Sequence, residues 1–172
     1  GWNRVGNDFA ARNVPSETHN RRLFEWIYEI INGANTIINR AENPDVNWTE
    51  EEKNRVVGEA RLFRAWAYRH ATYLWGDVPL SLEESSGSNI RTDWERTSVS
   101  AVRAQMEEDL LFAEQYLPET SSNPGKLVKG VATHYLAELY LTIGDNQKAL
   151  EKANDLIEGR VGPFSLITER YG

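Results

Sequence analysis

Gly58-Glu59-Ala60-Arg61-Leu62-Phe63-Arg64-Ala65-Trp66-Ala67-Tyr68-Arg69-His70-Ala71-Thr72-Tyr73-Leu74-Trp75-Gly76-Asp77-Val78-Pro79-Leu80 decides the fold of this chain. Alanines at 60, 65, 67 and 71 favour a helix, and Arg61, Arg64 and Arg69 interleave with Phe63, Trp66, Tyr68, Tyr73 and Trp75. Gly76-Asp77-Val78-Pro79 then stops it: glycine supports a backbone turn, Asp77 can bond nearby amides, and proline directs the exit. Upstream, Thr49 followed by Glu50-Glu51-Glu52 marks the start, because carboxylates favour the positive end of the helix dipole. The expected inward stripe is Val56, Ala60, Phe63, Ala67, Ala71 and Leu74.

Outward from this helix the apolar positions keep helical spacing, and no alternating strand of useful length occurs. The spacing predicts an all-α single domain over residues 1–172, with helices at 16–43, 49–75 and 98–117 and a helical hairpin at 129–158. Ser16 is the expected N-cap of the first helix, whose inward residues are Phe24, Ile27, Tyr28, Ile31, Ala34 and Ile38. Residues 81–97 are polar and read as an exposed loop. Gly144 suits a left-handed C-cap and Asp145 the next N-cap, so the last two helices should fold back on each other. Helices one and two should pair, with helix three against the hairpin.

The segment 58–80 closely resembles the signature of the SusD/RagB family, a helix of the form G-E-A-x-F-x-R-A-x-x-Y followed by L-x-G-D-V-P-L. Glu59, Arg64, Tyr68, Gly76, Asp77 and Pro79 stand at its motif positions and read as architectural. Trp26 to Asn35 is similar to the family's W-x-x-x-Y-x-x-I-x-x-A-N helix, and Arg96-Thr97-Ser98-Val99 through Glu108-Asp109-Leu110 to Leu117-Pro118 is similar to a third block. Leu136-Ala137-x-x-Tyr140 followed by Gly144-Asp145-x-x-x-Ala149-Leu150 resembles a tetratricopeptide repeat, in which small residues allow close helix approach. The resemblance implies antiparallel helix pairs in a degenerate, tetratricopeptide-like right-handed array. It also implies cell-surface capture of glycans or peptides, without catalysis, for delivery to a SusC-like TonB-dependent outer-membrane transporter. Family members are several-fold longer and lipid-anchored, so the chain reads as an excised portion, its membrane association made only through an anchor that this chain lacks.

Composition constrains function independently. The net charge is −7; residues 1–70 carry ten basic and ten acidic side chains, and residues 71–172 carry nine and sixteen. An acidic C-terminal half repels phosphate, which argues against nucleic-acid binding. The absence of cysteine removes disulfides, thiol catalysis and thiolate metal sites. No apolar run approaches the roughly 18 to 20 residues that cross a bilayer. His19, His70 and His134 are far apart and form no metal-binding spacing, and no G-x-S-x-G or phosphate-loop motif occurs. The carboxylate runs at 50–52, 83–84 and 107–109 point in different directions on helices or loops, unlike the facing pair of a glycosidase. No catalytic residue, metal or cofactor is therefore expected.

A sugar requires an aromatic face for its apolar ring side and planar polar groups for its hydroxyls. Trp2, Asn3, Arg4 and Asp8 supply that combination before the first helix, and the resemblance points to the same segment. Trp94, in the polar loop, is the other candidate; Trp26, Trp66 and Trp75 are expected in the core. The competing reading is a tetratricopeptide-like adaptor that binds a partner's peptide in a helical groove.

Overall fold

The computed structural model describes residues 18–123 and 125–165. Five α-helices account for most of them: α1 (Thr18–Arg40), α2 (Glu50–Trp75), α3 (Val99–Tyr116), α4 (Lys129–Ile143) and α5 (Asn146–Ile157). A short 3₁₀ turn occupies Gly87–Asn89, and the described residues contain no named strand. Each helix packs on its sequence neighbours, so the array is built of antiparallel pairs. The all-α reading holds. Helix α3, expected against the α4–α5 hairpin, packs at least as extensively on α2, lying between α2 and α4.

Local chemistry explains the boundaries. Thr49 and Glu52 form a reciprocal capping box at the start of α2: Glu52 N–H donates to Thr49 Oγ1 at 3.2 Å and Thr49 N–H donates to Glu52 Oε2 at 2.8 Å. The Thr49 amide holds the Glu52 carboxyl below its usual range. Gly76 ends α2 at φ 70°, a conformation that side chains with a Cβ rarely adopt. Gly144 ends α4 in the left-handed region at φ 84°, ψ 9°, and Asp145 Oδ1 accepts from Lys148 N–H at 3.1 Å to start α5.

The core runs through all five helices and includes Ile27, Ile31, Leu62, Tyr68, Val102, Leu110, Leu136 and Ala149. At the α2–α3 contact a Cβ added to Gly58 would stand 3.6 Å from Ala113 Cα, so small residues on α2 let the two backbones approach closely. The expected α2 stripe is corrected. Phe63 and Leu74 are 48% and 53% exposed, and the buried face is Val57, Ala60, Arg64, Ala67, Tyr68 and Ala71. The register differs because a buried arginine belongs to the inward face, and an apolar count places it outside. Trp26 is also corrected: it is 49% exposed, touching Trp66 edge to face at 6.1 Å.

Asp77 reaches further than a local turn. Its Oδ1 accepts from Val99 N–H, 2.9 Å away, at the first residue of α3. Beside it Val78 and Thr97 exchange two backbone hydrogen bonds of 3.2 and 2.9 Å. The α2 exit and the α3 entry are thereby tied together, and residues 79–96 form a loop closed at its base.

A candidate ligand cleft between the first helix and the loop after the second

The loop is held by helix side chains where a second strand would otherwise supply partners. Tyr28 Oη donates to Pro79 O at 2.7 Å. Tyr68 Oη donates to Ser81 O at 2.9 Å and accepts from Ser81 N–H at 2.6 Å. Asn35 Nδ2 donates to Ser81 O and Glu83 O at 3.0 and 3.1 Å, and Asn32 exchanges two bonds with the backbone of Ser85, at 3.2 and 2.7 Å. The carbonyls of 79, 81, 83 and 85 all face the helices, which is the period-two geometry of extended chain. A buried backbone without partners would be costly, and here α1 and α2 satisfy it.

The same helices are locked to α3. Arg64 donates from Nε and Nη2 to the two carboxylate oxygens of Asp109, at 2.8 and 2.7 Å, and from Nη1 to Asn35 Oδ1 at 2.8 Å. Asn35 and Asp109 are fully buried and Arg64 nearly so. The signature residues Arg64 and Tyr68 thus position the loop from below. Glu59, at the other end of the signature, lies 3.7 Å from Lys126.

Between α1 and this loop lies a cleft of about 540 Å³ whose walls include Phe24, Glu25, Tyr28, Glu29, Asn32 and Trp94. An adjoining depression of about 200 Å³ shares Ser81, Ser85 and Trp94 with it and adds Glu83, Glu84 and Arg91. On the helix wall Phe24 and Tyr28 stack with ring centroids 4.5 Å apart, and Phe24 meets the Trp75 ring edge to face at 5.2 Å. Burial, with Tyr68 nearby, pushes the Tyr28 phenol well above its ordinary range, so it remains a hydrogen-bond donor to Pro79.

Trp94 faces this wall from the loop and is 39% exposed. Its Nε1 donates to Arg91 O at 3.1 Å, and the Arg91 guanidinium sits 4.6 Å from the ring centroid. Arg91 is itself held by Asp93 through two bonds of 3.0 and 3.3 Å. The indole is thus oriented before any ligand arrives, with Arg91 against the ring and Trp94 on the walls of both depressions.

Of the expected ligand residues, Trp94 lies on the cleft, whereas Trp2, Asn3, Arg4 and Asp8 lie outside the described residues. Tyr28, Asn32 and Asn35 were not singled out for the site. Their spacing, four and three residues apart on the inward side of α1, carried the signal, since asparagine on a buried stripe needs polar partners. Chemically the cleft offers aromatic surface and acceptors. Glu25 and Glu29 are exposed and project from one helix one turn apart, so neither occupies the apolar pocket that a general acid needs. Among the described residues no group of three or more His, Asp or Glu is arranged to hold a metal ion, and no helix is long and apolar enough to cross a membrane.

Residues 2–152 match the SusD-like family described as "Starch-binding associating with outer membrane". The chain belongs to the SusD-like family. It is 36% identical over 131 residues to the SusD-like protein P2 of Formosa agariphila, an alignment that covers 76% of this chain and 25% of that protein. A laminarin-binding SusD-like protein superposes with a TM-score of 0.73 at 28% identity, over 81% of this chain and 30% of the other. A protein crystallised with xylogluco-oligosaccharide superposes with a TM-score of 0.76 at 25% identity, over 88% and 32%. This SusD-like chain therefore spans about a quarter to a third of the length of these relatives.

Proposed function

We propose that this SusD-like chain is the helical portion of a non-catalytic protein that captures glycans at the outer cell surface and passes them to a SusC-like TonB-dependent transporter. The observation that carries the reading is the orientation of Trp94, fixed by Arg91 and facing a cleft of about 540 Å³ opposite the stacked Phe24 and Tyr28. A pyranose stacks its C–H face on such a ring, and its hydroxyls donate to carboxylates and carbonyls at the rim. The laminarin and xylogluco-oligosaccharide ligands of the two structural relatives support the same ligand class. On side-chain chemistry, Trp2, Asn3, Arg4 and Asp8 are assigned to the same ligand. The larger protein would be held at the membrane by a lipid anchor.

The test is native affinity electrophoresis of the full-length protein through gels containing soluble polysaccharides, with reducing ends measured in the same mixtures. Retardation without new reducing ends is expected, together with co-purification of an outer-membrane transporter. Release of reducing sugar would overturn the non-catalytic reading, and no retardation by any polymer would overturn glycan capture.

A further inference from the structure

Resting on the glycan reading, we infer that the cleft selects neutral glycans and excludes those bearing uronate or sulfate groups, with Glu25, Glu29 and Glu83 as the residues that set this selectivity. Glu25 and Glu29 line the main cleft and Glu83 and Glu84 the adjoining depression. The cation among these lining residues is Arg91, and its charge is already shared: Asp93 bonds it through two nitrogens, and Glu83 adds to the field that keeps it protonated. Glu84 is paired with Arg40. Arg21 stands one turn before Glu25, but its Nε is 4.0 Å from that carboxylate and both side chains are mostly exposed. Glu29 has no ion-pair partner among the described residues.

The consequence is electrostatic. A sugar carboxylate or sulfate seated between Trp94 and α1 would meet two to three carboxylates, while the guanidinium lining the cleft among the described residues, Arg91, is already bonded to Asp93 and the charge of Arg4 is matched by that of Asp8. A neutral pyranose meets the same carboxylates as acceptors for its hydroxyl donors, in charge-assisted hydrogen bonds. The residues that repel an acidic sugar therefore hold a neutral one.

The experiment measures retardation of the full-length protein in gels containing a neutral β-glucan, a neutral α-glucan, polygalacturonate or a sulfated galactan, at about 20 and about 200 mM salt. Retardation is expected in a neutral polymer, equal at both salt concentrations, with none in the two anionic polymers at low salt. Replacing Glu25→Gln, Glu29→Gln and Glu83→Gln together should raise the ratio of polygalacturonate to neutral-glucan affinity by about fivefold or more at low salt. Retardation by an anionic polymer that matches or exceeds the neutral one and weakens with salt would overturn the inference while leaving glycan capture standing. An unchanged ratio in the triple variant would overturn the assignment to these glutamates. Absence of retardation in all four polymers would overturn both.

Discussion

Arg64 on α2 and Asp109 on α3 meet in a two-pronged ion pair, Nε to Oδ2 at 2.8 Å and Nη2 to Oδ1 at 2.7 Å, with the carboxylate wholly buried. The third guanidinium nitrogen bonds Asn35 on α1, and Asn35 in turn holds the carbonyls of Ser81 and Glu83. Gln105 adds a bond of 3.3 Å to the same carboxylate. One arginine thus ties three helices and the cleft loop together. Removing one partner leaves a buried charge without its close partner, Asp109 keeping only the more distant Arg61 Nη1 at 3.8 Å, which costs about 3–5 kcal/mol, more than the pair itself contributes over an apolar replacement. Asp109→Asn and Arg64→Met should each lower stability by that amount in urea unfolding. The double variant Arg64→Met with Asp109→Leu should recover part of it, and a loss equal to the sum of the singles would show that the pair is not coupled.

Trp94 should govern ligand affinity without governing the fold. Its ring is more than a third exposed and belongs to the loop, so Trp94→Ala should shift stability by no more than about 0.5 kcal/mol while reducing glycan affinity about tenfold or more. Arg91→Ala should weaken binding less and increase quenching of Trp94 fluorescence by acrylamide, because it removes the guanidinium against the indole. Calorimetric titration with the best polysaccharide and quenching relative to Trp94→Ala check both points.

Tyr68 makes a specific alkaline signature. Burial raises its phenol to about 12 from an ordinary 10, against the opposing pull of the Ser81 backbone bond. The folded chain therefore holds this proton more tightly than the unfolded one. The contribution to stability is intact below pH 10 and is lost as pH rises toward 12, amounting to roughly 2–3 kcal/mol. Urea midpoints measured at pH 9, 10.5 and 11.5 should fall for the native chain more steeply than for Tyr68→Phe. Parallel slopes would show that Tyr68 ionises normally.

Gly144 should disfavour a side chain on conformational grounds alone. Its φ of 84° lies in the left-handed region, and no atom lies within 4 Å of an added Cβ. Gly144→Ala should therefore cost about 1 kcal/mol from backbone strain, with no steric term, and thermal unfolding should show a fall of a few degrees. A much larger fall would mean that the α4–α5 turn rearranges.

How far the sequence reaches can be judged from these same residues. Gly76, and Gly144 with Asp145, act within a turn of their own position and were legible because capping chemistry depends on near neighbours; Thr49 was legible as the start of α2 through the carboxylates that follow it, and its reciprocal bonds with Glu52 emerge in the structure. The hydrophobic spacing of α1 was legible for the same reason. Arg64 misled the apolar count on α2, because an arginine reads as outward unless its carboxylate is known, and Asp109 lies 45 residues away. Asp77 was read as bonding neighbouring amides and instead receives Val99, 22 residues on.

Legible from the chain alone were the helices, the caps at Gly76, Gly144 and Asp145, the hairpin they form and, through the 58–80 signature, the family, since these depend on contacts within a few residues or on a motif intact in one segment; the expected Ser16 cap lies outside the described residues. Where the cleft lies and what lines it follow from the packing of the helices. Tyr28, Asn32 and Asn35 reach partners 51, 53 and 46 residues away, and Trp94 faces Phe24 and Tyr28 only because those bonds hold the loop against α1. Side-chain bonds across such separations follow from how the helices pack, and local propensity carries no information about them.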